Sequence, residues 1–342
     1  MTSVTLELSA DSVECHPSLP NLMAVGTYQI DQEHNQQYKD RRSGKLYLFD
    51  VEIGKPSPSS SPMTCTQLQE IEFNSGILDM KWTKTDQPKL GVVLSRGDLA
   101  IYRVGDIDGT NQKSLVPVMN ATPISPSESD EILALSLDWN KSGTRIITSF
   151  SNGSLALFDV DNDKPETIER WDAHGYEAWI AAFYYHQEQL MFSGGDDCLW
   201  KHWDSRVGLS TPTITKRCDM GVTSIHCHPH RENIVAVGSY DENLRVWDLR
   251  SMRSPVSTTA LGGGVWRVKW HPSSDKQDQL VTACMGGAFN KLTFNNELTS
   301  ADIETYNGQH QSIAYGVDWS SSSENQYIGC CSFYDKLLSI WS

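Results

Sequence analysis

The sequence predicts an all-β fold: a closed propeller of seven four-stranded blades. Three observations carry the prediction. A five-residue alternating phrase ending in an aromatic residue or Cys recurs seven times. Its copies stand at a roughly regular interval, and further short apolar runs separated by Gly, Ser and Asp turns follow each one. The copies are Asp11–Cys15, Leu78–Trp82, Leu135–Trp139, Trp179–Phe183, Thr223–Cys227, Trp266–Trp270 and Tyr315–Trp319, and their last residues are spaced by 67, 57, 44, 44, 43 and 49 positions. Alternation of apolar and polar residues marks half-buried strands. A repeat of about 40–45 residues with four strands per unit marks radial stacking of small sheets.

Each element follows from that frame. Val4 to Leu8 alternates, and it is expected to complete the outer strand of the last blade and so close the ring without leaving an edge. The third strands end in Phe49-Asp50, Phe158-Asp159, Trp203-Asp204, Trp247-Asp248 and Trp341-Ser342. This is the WD-repeat pattern, so residues 1–342 read as one seven-bladed WD40 β-propeller. A turn Asp stands six residues before the Trp in Asp197/Trp203, Asp241/Trp247 and Asp335/Trp341, and Asn152 holds that place before Phe158. His174 and His310 precede inner strands, where the pattern places a structural His. Blades two and six are degenerate, with Tyr102-Arg103 and Leu292-Thr293 in place of the dipeptide. The long spacings mark insertions, expected as surface loops at 29–44, 54–64 and 105–131; the last contains only a weak strand signal at Leu115–Val118.

Charge and composition narrow the function. The 342 residues include 28 Lys and Arg against 43 Asp and Glu, a net charge of −15. That balance argues against binding to a phosphate backbone, which needs a basic face, and suits basic or cationic partners. No apolar run reaches the roughly 18–20 residues of a membrane span, and the first residues hold no basic segment followed by an apolar one. A cytoplasmic protein is expected. Eight cysteines without C-x-x-C spacing read as reduced thiols rather than a disulfide framework or zinc ribbon. His226, His228 and His230 resemble a metal tract, but they fall on a strand-to-turn junction, and His228-Pro229 is repeated at His271-Pro272. No nucleophile elbow, P-loop, H-E-x-x-H or G-x-G-x-x-G is present. No metal or cofactor is expected.

The top of the central channel is the candidate site. By register it is ringed by Asp11, Glu177, Trp179, Gly264, Trp266, Arg267 and Tyr315 from the starts of inner strands. Tyr28, Asp196, Tyr240 and Tyr334 join them from the turns after second strands. Aromatic faces beside carboxylates are what a quaternary ammonium ligand requires, because cation–π attraction needs no hydrogen-bond donor on the ligand. Packing of Trp179 and Trp266 between blades is an equally good account of the same residues, and the sequence leaves the two open.

Several phrases on this ring also resemble one family. They are residues 7–14 (ELSADSVE), 26–29 (GTYQ), 77–82 (ILDMKW), 134–139 (ALSLDW), 173–183 (AHGYEAWIAAF), 193–197 (SGGDD), 230–232 (HRE), 238–242 (GSYDE), 262–272 (GGGVWRVKWHP) and 315–319 (YGVDW). From Asp11 nearly to the C-terminus, the chain is similar to the WD-repeat diphthine methylesterases of the diphthamide pathway. The AHGYEAWIAAF and GGGVWR phrases are the most specific, because WD repeats in general do not require them. Departures lie in the three insertions.

The resemblance implies hydrolysis of the methyl ester of methylated diphthine on translation elongation factor 2. The substrate would be a modified histidine bearing a trimethylammonium group. For that reaction Glu177 or Asp196 would act as general base on water. Arg267 or the backbone N–H groups of Gly194-Gly195 or Gly262–Gly264 would stabilise the oxyanion. Trp179, Tyr240, Trp266, Tyr315 and Tyr28 would hold the ammonium. His174, Asp197 and Asp241 match structural positions, and a metal-activated water on His174 and Asp196 is the competing route. The rival function is a non-catalytic adaptor, such as a ubiquitin-ligase substrate receptor, docking through the W-D-x-R phrases at 203–206 and 247–250.

Overall fold

A computed structural model of the chain describes residues 1–30, 42–54, 63–107, 112–125, 132–161, 164–322 and 326–342. It shows seven four-stranded antiparallel sheets arranged as a β-propeller. Blade one comprises the strands Ser9–Cys15, Leu22–Ile30, Arg42–Ile53 and Met63–Phe73. Blades two to six begin at the inner strands Ile77–Trp82, Ala134–Trp139, Ile180–Phe183, Val222–Cys227 and Val265–Trp270. Blade seven joins Ala314–Trp319, Ile328–Ser332 and Leu337–Trp341 to Thr2–Thr5 from the other end of the chain.

The closing strand differs in extent from the sequence expectation. It runs from Thr2 to Thr5, with Thr2 opposite Ile340 and Thr5 opposite Leu337. Leu6 donates its N–H to the Lys336 carbonyl, after which the chain turns inward to start the strand at Ser9. Leu6 is buried, and it belongs to the core that joins blades one and seven.

The insertions also differ. Leu22–Ile30 and Arg42–Ile53 extend past the body of the sheet, with Gln29 paired to Ser43 and Ile30 to Arg42. The span 105–131 contains an eleven-residue outer strand, Lys113–Pro123, paired to Asp98–Asp106. Its apolar signal is weak because an outermost strand buries little: Val116 to Pro123 contains only one buried residue, Met119. The remaining parts of the expected loops, 31–41, 55–62, 108–111 and 126–131, lie outside the described residues.

Between blades, one apolar face meets the next. Leu22, Ala24, Leu46 and Leu48 of blade one, for example, pack against Ile77, Met80 and Trp82 of blade two. The last residue of the recurring phrase explains itself here. The indole N–H of Trp82 donates to Glu14 O at 3.3 Å, that of Trp139 to Lys81 O at 2.9 Å and that of Trp319 to Lys269 O at 3.0 Å. In blade five Cys227 Sγ lies 3.1 Å from Phe183 O. Each bond ties one inner strand to the inner strand of the preceding blade.

Blade four carries the full WD hydrogen-bond chain. Trp203 Nε1 donates to Ser193 Oγ (2.9 Å), Ser193 Oγ lies 2.8 Å from His174 Nε2, and His174 Nδ1 lies 2.9 Å from Asp197 Oδ1. Burial would raise the Asp197 pKa, but the hydrogen bond and charge of His174, together with the Gly175 and Leu199 N–H groups, outweigh it and hold the carboxyl below its usual range. Replacing Ser193 by Ala leaves the Trp203 and His174 ring nitrogens without this partner. Urea denaturation is expected to show a loss of about 1–3 kcal/mol; an unchanged midpoint and slope would refute a structural role for this chain.

Candidate functional site

The inner strands share an irregularity that builds the mouth of the channel. In six of the seven blades the register with the second strand slips by one residue near the start of the inner strand. The slips lie between Ala10 and Ser12, Ile77 and Asp79, Ala134 and Ser136, Val222 and Ser224, Val265 and Arg267, and Ala314 and Gly316. A bulge releases the extra residue from strict alternation and re-aims its side chain. The six extra residues are Asp11, Leu78, Leu135, Thr223, Trp266 and Tyr315, and all six line one cavity of about 200 Å³ at the channel mouth. Trp179, immediately before the strand Ile180–Phe183, fills the seventh position. These seven are the first residues of the seven recurring phrases. Asp11 is the only charged member.

Aromatic rings form a continuous wall on one side. Trp179 lies 5.7 Å from Trp266 and 6.3 Å from Tyr240, centroid to centroid, and Tyr240 lies 5.9 Å from Trp266. Trp266 continues to Tyr315 at 4.8 Å, and Phe333 bridges Tyr315 and Tyr28 at 5.1 and 4.8 Å. Two glycines make room for Tyr240. A Cβ on Gly264 would stand 3.2 Å from its ring, and one on Gly221 would meet both the ring at 3.0 Å and Asp196 Oδ1 at 2.6 Å. Burial, assisted by the nearby Asp11, pushes the Tyr28 hydroxyl up to about 12, and burial raises Tyr240 and Tyr315 in the same direction. The phenols therefore remain neutral at physiological pH.

The cavity floor is a buried ion pair that crosses the channel. Arg267 Nη1 from blade six lies 3.3 Å from Asp79 Oδ1 of blade two. Asp79 also receives Lys81 Nζ at 3.3 Å and the Leu137 N–H at 3.3 Å. Burial alone would raise the Asp79 pKa, but Arg267, then Lys81 and Lys269, outweigh it and hold the carboxyl low. Deeper in the channel Lys269 pairs with Glu14 at 2.5 Å and approaches Asp318 at 3.8 Å.

The expected site residues separate into three groups. Tyr28, Trp179, Tyr240, Trp266 and Tyr315 come together around the cavity, and Arg267 lies beneath them, paired to Asp79. Asp196 sits at the exposed rim, where its Oδ1 accepts a hydrogen bond from Trp179 Nε1 at 3.1 Å. Glu177 is half-buried just outside the lining, and its carbonyl accepts the Asp196 N–H. Tyr334 is 74% exposed and is not part of the cavity lining. The sequence reading missed Leu78, Leu135 and Thr223, although their positions at the head of the repeated phrase were a usable signal. Asp79 and Phe333 gave no such signal, because blade closure brings them in.

Competing arrangements are resolved by the same geometry. His174 is bonded to Asp197 and Ser193 while Asp196 is bonded to Trp179, so His174 and Asp196 do not form a metal pair. His228 and His230 reach the backbone carbonyls of Gln277 and Pro272. Among the described residues no three His, Cys, Asp or Glu side chains converge as a metal site. Arg206 and Arg250 each make a two-pronged pair with the Asp of their own blade, Asp204 and Asp248. These W-D-x-R phrases thus form strand-end ion pairs.

The class is therefore a WD-repeat propeller with an aromatic-walled, carboxylate-bearing cavity at one end of its channel. Residues 211–248 match the family described as "WD domain, G-beta repeat". A solved chain titled "Crystal Structure of Mitotic Checkpoint Complex" superposes with a TM-score of 0.71 over 99% of this chain and 94% of that one, at 16% identity, and shows the fold alone. The "Diphthine methyltransferase homolog" of Dictyostelium discoideum is 49% identical, covering 98% of this chain and 97% of that protein. The "Diphthine methyltransferase" of Homo sapiens is 36% identical over 94% of this chain and 74% of its own length. The chain belongs to the diphthine methyltransferase family. The expectation of methyl-ester hydrolysis is corrected by these relatives, which are named for methyl transfer.

The cross-channel pair makes its own prediction. Asp79→Asn leaves Arg267 buried without its closest anionic partner and is expected to cost about 3–5 kcal/mol in urea denaturation. Because the folded Asp79 pKa is depressed, its contribution is present above the unfolded value, about 4, and is lost as pH falls through the folded value. The wild-type midpoint should therefore fall more steeply than that of the variant on acidification below about pH 4; parallel pH profiles would contradict the pairing.

Proposed function

We propose that this protein is an enzyme of the methylation stage of diphthamide biosynthesis. Its channel mouth receives the diphthine side chain of translation elongation factor 2. The aromatic wall carries the reading: Trp179, Tyr240, Trp266, Tyr315 and Tyr28 surround a space suited to one methylated ammonium group, with a carboxylate in the same cavity. Cation–π attraction to several rings, each worth about 0.5–2 kcal/mol, would hold such a group without hydrogen bonds. A net charge of −15 favours approach of a cationic loop.

The cavity volume defines the role of these residues. About 200 Å³ falls below the ~300–1,000 Å³ of ordinary small-molecule sites. It suits one trimethylammonium side chain. The mouth residues bind and orient the acceptor: the rings enclose its methyl groups, and Arg267 and Asp79 close the floor against water.

Mass spectrometry of elongation factor 2 bearing the unfinished diphthine, incubated with the protein and a sulfonium methyl donor, tests the activity. A gain of one methylene mass on the modified histidine is expected; an unchanged or reduced mass with folded protein would overturn the reading. Trp266→Ala should weaken binding of diphthine-bearing elongation factor by about tenfold, on the order of 1–2 kcal/mol, while pull-down of the factor lacking the modification stays unchanged. Equal loss for both forms would show that Trp266 does not read the modified side chain.

A further inference from the structure

Asp11 stands apart from the other residues of the mouth. It is the sole charged side chain among the seven heads of the inner strands, and the bulge between Ala10 and Ser12 aims it into the cavity. It is 3% exposed, yet its Oδ2 has no hydrogen-bond partner among the described residues. A buried carboxylate oxygen without a partner is costly, and folded proteins rarely tolerate one. Arg267 lies near enough to act on Asp11 electrostatically, but its ion pair is with Asp79. The same wall holds a second unpartnered polar atom, Trp266 Nε1.

We infer that Asp11 is the specificity-determining anion of the mouth, its Oδ2 left open so that it can pair with a quaternary ammonium group enclosed by Trp266, Tyr315, Tyr28 and Tyr240. This deepens the reading of the mouth as a diphthine site and rests on it. Aromatic faces alone attract neutral apolar groups as well as cations. One buried carboxylate makes the difference between a site that accepts any tert-butyl-shaped group and one that demands charge. Burial drives the Asp11 pKa well above its usual range, with Arg267 opposing and Asp79 reinforcing the shift. Ligand-free protein thus holds this carboxyl in its neutral form more readily than an exposed Asp, and an incoming cation draws it to the charged form.

The test uses choline and its neutral carbon isostere, dimethylbutanol, each titrated into the full chain and followed by tryptophan fluorescence and calorimetry. Wild type should prefer choline by about tenfold or more, as expected when a buried charge pair forms. Asp11→Asn should bind the two equally and melt at or above the wild-type temperature, because it removes a buried carboxyl whose Oδ2 has no partner among the described residues. Retention of the choline preference in Asp11→Asn would overturn the role of Asp11 while leaving the aromatic mouth intact. Failure of wild type to prefer choline would overturn the cation reading of the mouth together with that of Asp11.

If Asp11→Asn does not fold, the wild-type choline preference is measured against pH. Choline preference should vanish on acidification at a pH above the ordinary carboxyl range, while dimethylbutanol binding stays level. A choline preference independent of pH down to the ordinary range would overturn the proposal. The other titratable or charged groups around Asp11 among the described residues are Arg267, Asp79, Tyr28, Tyr315 and Cys331, together with Arg42, which lines the same cavity. Asp79 titrates below the ordinary range, and the tyrosines, the thiol and Arg267 above neutrality, so none of these titrates in that window.

Discussion

The inner edge of each blade is the constraint on which the rest of the structure depends. An innermost strand pairs on one side only, and its other row of N–H groups faces the channel, where it would be left unsatisfied. The protein answers with side chains lent by the preceding blade. Asp79 accepts the N–H of Leu137, Ser136 that of Ala181, Asp138 that of Phe183, and Ser224 that of Val268. His226 Nδ1 accepts the Trp270 N–H, and Asp318 accepts that of Cys15 across the point of ring closure.

Those acceptors make the channel polar and, in several places, anionic. The anions then need counter-charges, and Arg267, Lys269 and Lys81 supply them. A stoppered channel follows: Arg267 and Asp79 cross it under the mouth, and below them Lys269, Glu14 and Asp318 line a separate, smaller cavity of about 120 Å³. The cavity is shallow because the lower channel is committed to satisfying backbone edges. Closure of the ring by Thr2–Thr5 against Leu337–Trp341 is what holds these cross-blade partners in reach of one another.

Above the stopper, the bulges allow a different chemistry. Residues at alternating positions of the inner strands must serve the neighbouring edge, but of the six extra bulge residues only Thr223 does so, its hydroxyl donating to the Val265 carbonyl. Those positions vary freely in type, from Leu78 and Leu135 through Thr223 to Trp266, Tyr315 and Asp11. One arc is bulky and aromatic, and the other is aliphatic. This asymmetry gives a sevenfold scaffold a single-sided site.

Much of this was legible in the sequence. The spacing of seven phrases determines the propeller, and the aromatic residues at their heads and in the second turns identify Tyr28, Trp179, Tyr240, Trp266 and Tyr315 as one group. Local alternation and turn chemistry are properties of short segments, so they survive without tertiary context. The strand Lys113–Pro123 escaped because it buries almost nothing, and the pairing of Arg267 with Asp79 escaped because 188 positions separate residues that only ring closure brings to 3.3 Å. The unpartnered state of Asp11 belongs to the same category. Its charge is written in the sequence, but which groups reach it, and that Oδ2 finds no hydrogen-bond partner among the described residues, is decided by how seven blades crowd around one axis.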